Sequence, residues 1–364
     1  MFVGSETPTP RNRLSVCLGL AAAVLLVALG AACGGPYPQS TIDAVTPGYG
    51  GLTDGLYRWI FWWTIFILVV VWGLLAYILI RFRDRPGAPE PKKTRGHLPL
   101  EIGWTLGPAI IIVLIAIPTI RGVFRTQAPA PANALIVDVI GHQWWWEFRY
   151  PARGVVTANE MHLPVGRPIE LRIRSADVIH SFWVPRLGGK RDANPRVRQP
   201  EGKEWNPNQM VFTIDEPGVL LGQCAEFCGL NHGLMRMRII AEAPEKFESW
   251  LGKMTQPPAP EPGSPAAAGE QVFLNHACVA CHTIAGTRAQ GKVGPNLTRL
   301  GLRTTIGAGI LKNTPENLRR WIEDPTAFKG GIVMPPAAEM GGMPPPGLTS
   351  QELDALVAFL SSLD

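Results

Sequence analysis

The chain has 364 residues, of which 17% are charged and 46% are hydrophobic, and its formal net charge is +5. A charged fraction below the usual value of about 25% excludes an ordinary soluble enzyme and a disordered tail. The basic residues cluster beside apolar segments, so a membrane explains the positive charge better than a nucleic-acid partner does. The length allows two or three domains.

Residues 1–33 are typical of an export signal peptide. Arg11 and Arg13 precede an apolar run, and small residues then lead to Cys33. Cys33 is therefore a candidate for the lipid-modified first residue of a lipoprotein, although a larger aliphatic residue is expected where Gly30 stands. The alternative is a third membrane helix with an ordinary cysteine.

A transmembrane helical hairpin is predicted over residues 51–122, with apolar stretches at about 57–80 and 100–120. The segment between them is rich in Arg and Lys, which places it in the cytoplasm and everything after Arg121 outside. Glu101 stands at the start of the second stretch. From the residues alone, an interfacial position is favoured over a role in a proton path.

Residues 134–243 change to a two-residue alternation, as in Pro168 to Arg174 and around Met235 to Ile239. Short alternating strands separated by Pro and Gly turns predict an all-β, antiparallel sandwich or barrel.

This β domain contains a concentrated set of soft metal ligands in GQCAEFCGLNHGLM, residues 222–235. Thiolate, imidazole and thioether groups together favour copper, and a second thiolate allows two copper ions to be bridged. A disulfide between Cys224 and Cys228 and a structural zinc are the alternatives. Zinc rarely takes Met, and a disulfide leaves the histidines unexplained. The candidate ligands are His180, Cys224, Cys228, His232 and Met235.

From Gly51 to Ala243 the chain resembles subunit II of cytochrome c oxidase. The resemblance rests on LEIGWTLGPAI, GHQWWW, HSFWVP, KRDANP and the cysteine loop. The chain has Trp144-Trp145-Trp146 where this family usually has Trp-Tyr-Trp. Trp145 therefore departs from the motif, but it is still aromatic and the resemblance holds. The resemblance implies a cupredoxin fold and a binuclear copper A centre. The implied ligands are His180, Cys224, the Glu226 carbonyl, Cys228, His232 and Met235.

The same resemblance assigns three further roles. The Glu226 carboxylate is implied to bind a magnesium ion shared with subunit I. Trp144 matches the aromatic residue at which an electron arrives from a cytochrome c, and Glu101 matches the acid at the mouth of a proton pathway, which reverses the preference stated above. Quinol-oxidising relatives lack the copper ligands, so this resemblance implies a protein electron donor.

Residues 255–268 are rich in Pro and Ala and predict a semi-stiff linker, and residues 269–364 predict a small helical domain. Cys278, Cys281 and His282 form the C-x-x-C-H pattern of covalent haem c attachment, with His282 as an iron ligand. A thioredoxin-like redox pair is the alternative, but no βαβ pattern surrounds it.

This domain resembles class I cytochromes c through GPNLTRLG, NTPENLRRWIEDP and its last helix. The resemblance places Pro295 behind the proximal imidazole, and Arg303, Asn313 and Trp321 on the haem propionate side. The second axial ligand stays open. A Met-Pro soon after Asp-Pro favours Met334, a position just before the last helix favours Met343, and Met340 is a third choice.

The whole architecture resembles the cytochrome-c-fused subunit II of some bacterial haem–copper oxidases. It implies electron transfer from an external cytochrome c or similar donor through haem c and copper A to subunit I, where oxygen is reduced and protons are translocated. It further implies subunits I and III and the lipid bilayer as partners. The expected location is the bacterial inner membrane, as a multi-pass protein with both domains outside and with no nucleic-acid partner. A thioredoxin-like copper chaperone, a nitrous oxide reductase and a tethered cytochrome with a structural β domain are the alternatives.

Overall fold

The structure is a computed structural model that describes residues 24, 44–83, 85–87, 89–90, 93, 95–195, 207–335 and 347–364. Residues 42–364 form one compact unit. Cys33, Met340 and Met343 lie outside the described residues, as does nearly all of the predicted signal peptide.

Two long helices follow the first described turn. Helix α1 spans Gly50–Arg81 and helix α2 spans Leu98–Thr126. Both are long and apolar enough to cross a membrane, and neither apolar stretch is buried within the chain. Both helices extend past the predicted apolar stretches, since their first and last turns also contain polar and charged residues. The first turn of α2 is capped by the His97 imidazole, which accepts a hydrogen bond from the Leu100 amide.

The turn that leads into α1 is packed against the β domain. The Val45 amide donates to the Arg186 carbonyl at 3.0 Å, and the Thr46 hydroxyl donates to the Leu187 carbonyl at 2.6 Å. Gly188 has a φ of +131°, and a Cβ added there would lie 2.6 Å from the Tyr49 ring. This contact joins the N-terminal end of α1 directly to the β domain.

The β domain is a sandwich of two five-stranded sheets, with strand orders β3-β2-β1-β5-β8 and β4-β10-β9-β6-β7. Most pairs are antiparallel as predicted, but β1 with β5 and β4 with β10 are parallel, because the chain crosses between the sheets before each of these pairs is completed. The strands are β1 Leu135–His142, β2 Trp145–Tyr150, β3 Val155–Ala158, β4 Glu160–Pro164, β5 Pro168–Ser175, β6 His180–Trp183, β7 Arg191–Ala193, β8 Asn208–Thr213, β9 Gly218–Cys224 and β10 Arg236–Glu242.

The sandwich core is made by inward-facing side chains of both sheets, because alternate residues of a strand face the same side. Trp146 and Phe182 are fully buried there and meet edge to face. Helix α3, Pro244–Met254, closes one end of the core with Phe247 and Trp250.

The C-terminal domain has its own core, built mainly where α4 packs on α7. Helix α4 begins at Pro265, inside the predicted linker, because the Ser264 hydroxyl caps it by accepting from the Ala267 amide. The domain also contains a two-stranded sheet that the helical pattern did not predict. The elements are α4 Pro265–Asn275, α5 Cys278–Cys281, β11 Thr305–Ile306, β12 Leu311–Lys312, α6 Pro315–Glu323 and α7 Ser350–Ser361.

We predict that Gly188→Ala lowers the free energy of unfolding of the β domain by about 3 kcal/mol, because it adds both backbone strain and a clash with Tyr49. Gly166 is the matched control: its φ is +75°, and open space surrounds an added Cβ. Gly166→Ala should cost only about 1 kcal/mol. Denaturant unfolding followed by tryptophan fluorescence compares the two. Equal losses would contradict the packing role given to Tyr49.

Candidate functional site

The cysteine loop between β9 and β10 gathers the predicted copper ligands at one end of the sandwich. Cys224 is the last residue of β9, His180 is the first residue of the neighbouring β6, and Met235 directly precedes β10. The ligand atoms of His180, Cys224 and Cys228 lie within 4.8 Å of one another. Strand ends therefore fix three of the ligands, while the loop carries the others.

Every predicted ligand approaches one of the two sulfur atoms. The Cys224 sulfur lies 3.9 Å from His180 Nδ1, 3.3 Å from the Glu226 carbonyl oxygen and 3.8 Å from the Cys228 sulfur. The Cys228 sulfur lies 3.5 Å from His232 Nδ1 and 3.8 Å from Met235 Sδ. Each sulfur thus has one histidine beside it and one weaker donor.

Cys224 and Cys228 are separate, buried thiols. The contact between the two sulfur atoms lowers the pKa of Cys224 and raises the pKa of Cys228. The two thiols therefore lose their first proton easily and their second with difficulty. A nearby positive charge is needed before both sulfur atoms are thiolates. Soft metal ions supply that charge, and the nitrogen and thioether donors present favour copper. The residues therefore fit a binuclear copper centre.

Asp177 is a part of this site that the sequence did not reveal. Its carboxylate lies 2.7 Å from His180 Nε2 and accepts from the Gln143 and Val178 amides at 2.7 Å each. Burial opposes ionisation, but these hydrogen bonds outweigh it and lower the pKa of Asp177. Burial likewise opposes protonation of His180, yet Asp177 and Cys224 raise its pKa. A carboxylate on Nε2 leaves Nδ1 directed at the sulfur pair and orients the ring for a metal.

The side chain of Glu226 points away from the sulfur pair. Its carboxylate is 41% exposed and lies 3.6 Å from Lys190 Nζ. The residue thus presents its carbonyl to Cys224 and its carboxylate to the surface. This division is compatible with the two roles predicted for Glu226.

Trp144 connects the sulfur pair to the C-terminal domain. Its indole Nε1 donates to the Cys228 carbonyl at 3.0 Å, and Gln143 Nε2 donates to the same oxygen at 2.7 Å. Trp144 also lines a cavity whose other residues belong mostly to the C-terminal domain.

This cavity, of about 410 Å³, contains the predicted haem residues. Cys278, Cys281, His282 and Met334 all line it. His282 Nδ1 donates to the Pro295 carbonyl at 2.8 Å, so the neutral ring directs the lone pair of Nε2 elsewhere. Burial lowers the pKa of His282 and favours that neutral, metal-binding form. Gly294 makes room for the ring, since an added Cβ would lie 2.5 Å from it.

The other cavity residues fit a haem with anionic propionates. Arg303 is buried, and its Nε atom finds no hydrogen-bond acceptor among the described residues. Burial lowers the pKa of Arg303 to about 10, against the opposing effect of Glu160. Trp321 also lines the cavity. Asn313 instead donates to the Leu300 and Arg303 carbonyls, so it holds the backbone that carries Arg303.

Glu101, the remaining candidate residue, and two histidines of the β domain have local partners. The Glu101 carboxylate accepts from the His97 amide at 3.0 Å in the first turn of α2. His162 lies 2.8 Å from Glu242 and stacks on Trp250, and His142 stacks on Trp145.

Comparisons with known proteins identify three segments. The family described as "Cytochrome C oxidase subunit II, transmembrane domain" matches residues 36–121, its "periplasmic domain" matches residues 152–243, and "Cytochrome c" matches residues 266–364. Cytochrome c oxidase subunit 2 of Alkalihalophilus pseudofirmus is 37% identical over 303 residues, which cover 82% of this chain and 83% of the relative. The corresponding subunit of Bacillus sp. strain PS3 is 33% identical and covers 78% of this chain and 80% of its own length.

Among solved structures, the periplasmic domain of subunit II of cytochrome oxidase of Bradyrhizobium japonicum is similar at 30% identity and a TM-score of 0.31. The match covers 35% of this chain and 96% of that one.

We predict that Asp177→Asn weakens copper binding by about 10–100-fold, because the His180 ring loses the carboxylate that orients it. Asp215→Asn, which changes an exposed acid of the same domain, is the control and should leave the affinity unchanged. Competition with a copper chelator measures both. An unchanged affinity in the Asp177 variant would contradict the orienting role.

Proposed function

This chain belongs to the cytochrome c oxidase subunit II family, and on that premise we propose that it relays electrons from an external protein donor to subunit I. The electrons would pass through the fused haem c and then through a binuclear copper A centre. Reduction of oxygen to water, coupled to proton translocation, would follow on subunit I. The members of this family are oxidoreductases. The cytochrome c domain fused to this chain implies haem c as a cofactor.

The observation that carries this proposal is the position of Trp144 between the two sites. Its indole is hydrogen-bonded to the carbonyl of Cys228, and the residue also lines the haem cavity. An electron that leaves the cavity on this side therefore has a single aromatic residue and one hydrogen bond to cross before it reaches a copper ligand.

Each ligand has a defined role in the proposed copper centre. Cys224 and Cys228 would bridge the two ions, and one histidine would complete each ion. Met235 would serve as a weak ligand to one ion and the Glu226 carbonyl to the other. The clustering of sulfur and nitrogen donors supports this assignment. The chemistry that the two cofactors supply is one-electron transfer.

In the haem domain, Cys278 and Cys281 would form the thioether links and His282 the proximal bond to iron. Met334 would be the second axial ligand, since it lies in the cavity wall and packs against the domain core. Methionine–histidine ligation raises the haem potential, which suits a carrier that delivers electrons to copper.

The hairpin would anchor the chain in the bacterial inner membrane beside subunits I and III, with both cofactor domains on the outer side. The outer ends of α1 and α2 both connect to the β domain, in agreement with that topology. A magnesium ion at the Glu226 carboxylate and a proton path at Glu101 belong to the same proposal. The exposed Glu226 carboxylate supports the first of these, and the position of Glu101 at the start of a membrane helix supports the second.

Optical spectra and metal analysis of the purified full chain test the proposed function. Expression with copper and haem supply should give a binuclear thiolate–copper band in the near infrared together with one haem c spectrum. After reduction of the haem, the copper band should bleach as the haem reoxidises. Haem absorption without a thiolate–copper band would overturn the oxidase-subunit function in favour of a tethered cytochrome.

We predict that Met334→Ala abolishes the far-red sulfur–iron absorption band of the oxidised haem and lowers its midpoint potential, because iron loses a thioether ligand. Met340→Ala and Met343→Ala are the matched variants and should leave both unchanged. Spectra of the three oxidised proteins decide the assignment. Loss of the band in the Met343 variant alone would show that the ligand lies nearer the last helix.

A further inference from the structure

A buried contact fixes the haem domain to the β domain, in addition to the covalent connection through the linker. We propose that Glu160 is a positioning residue that holds residues 302–309 of the haem domain, here called the docking loop, against the β domain. The haem cavity is thereby kept beside Trp144. The structural part of this proposal stands alone, and its consequence for electron transfer rests on the proposed function.

Glu160 is the first residue of β4, an edge strand, and it is 1% exposed. Its carboxylate accepts from the Thr304 amide and the Thr304 hydroxyl at 2.8 Å each, and from the Thr305 hydroxyl. Among the described residues, these donors to the carboxylate all belong to the docking loop. A buried carboxylate is costly unless it is hydrogen-bonded, so Glu160 strongly favours the docked arrangement.

Apolar packing surrounds this polar contact. Trp145 and Ala158 of the β domain form a buried cluster with Ala308 of the docking loop. The Trp145 ring is held in place by stacking on His142, with ring centroids 4.1 Å apart. Leu302, at the start of the docking loop, packs against the core of the β domain. The indole that replaces the usual tyrosine of the Trp-Tyr-Trp motif therefore has a partner in the fused domain.

A second contact lies on the other side of Trp144. Lys329 is 3% exposed and donates from Nζ to the Trp144 carbonyl at 2.8 Å. Asn231, the neighbour of the copper ligand candidate His232, donates to the Gly330 carbonyl at 2.7 Å. The docking loop and residues 329–330 therefore hold the haem domain on two sides of the aromatic residue that joins the sites.

The linker is itself held at its start. Arg299 of the haem domain donates to the Lys253 and Gln256 carbonyls at 3.0 and 2.9 Å. A free tether would only raise the local concentration of the haem domain, and electron transfer would then depend on linker length and on diffusion. If the contact is fixed, the rate of electron transfer depends neither on linker length nor on diffusion. The two arrangements can therefore be separated by experiment.

The first experiment uses the full chain with copper and haem bound, and reduces the haem with a photoexcited ruthenium–bipyridine complex. One electron then leaves the ferrous haem, which becomes ferric, and the oxidised copper pair accepts it. Neither a proton nor another reactant is needed for this step. Transfer is measured in wild type, Glu160→Gln and Glu160→Ala, with and without sucrose as a viscogen.

Glu160→Ala should slow the transfer by about tenfold or more and make it depend on viscosity, because the hydrogen bonds to a charged group are lost. Glu160→Gln keeps an acceptor oxygen and should fall between this variant and wild type. Glu170→Gln is the matched control, because Glu170 is also buried but pairs with Arg172 inside the β domain. Its transfer should match wild type. A flexible insertion at residue 259 of the linker should also leave the rate unchanged.

Amide hydrogen exchange of Thr304 gives a readout that needs no cofactor, since this N–H donates to Glu160. Glu160→Ala should accelerate exchange at Thr304 and leave the core helix α7 protected. Unchanged exchange at Thr304 would show that Glu160 does not hold the docking loop. Faster exchange with unchanged electron transfer would overturn the positioning role of Glu160. A rate that falls with linker length would also overturn it. Absence of the copper band would overturn the proposed function, while the exchange result would still decide the dock.

Discussion

The hydrogen bond from the Trp144 indole to the Cys228 carbonyl lies within the β domain and fixes the residue against which the haem domain is placed. Trp144 stands in the turn between β1 and β2, so the sandwich fixes it on the same end as the cysteine loop. Trp144 also lines the haem cavity, and its carbonyl accepts a hydrogen bond from Lys329 of the haem domain. The β domain therefore does more than hold metal ligands, because it also determines which side of the haem domain can approach them.

The copper ligand candidates show how a sandwich makes a site rigid. Cys224, His180 and Met235 stand at strand ends and are buried. Asp177 adds a hydrogen bond to the outer nitrogen of His180, which leaves the ring little freedom to turn. A rigid donor set changes little when the charge on a metal pair changes, and small geometric change is what fast electron transfer requires. The burial of these side chains is thus linked to the proposed function.

The sequence predicted the parts of the site that lie close together along the chain. The ligands from Cys224 to Met235 share one loop, and Cys278 to His282 share one helical turn, so their residue types and spacing were sufficient. Asp177 and Glu160 were missed, because a single acid in a strand or loop has no local signature and gains its role from residues brought near by folding. The parallel strand pairs were missed for a similar reason, since alternation reveals a strand but not its neighbour.

The fused domain also contacts β4, an edge strand of the β domain. Among the described strands, β4 pairs only with β10, and without the docking loop Glu160 at its start would lack the hydrogen-bond donors of that loop. The docking loop reaches the start of this strand, where Thr304 and Thr305 donate to the Glu160 carboxylate, and Ala308 packs on the neighbouring Trp145 and Ala158. Val293 and Val333 also line the haem cavity and are 60% and 79% exposed, so among the described residues its wall includes an apolar part that faces solvent. On the proposed function, the haem domain would receive electrons at a surface other than the one that the docking loop and Lys329 fix against the β domain.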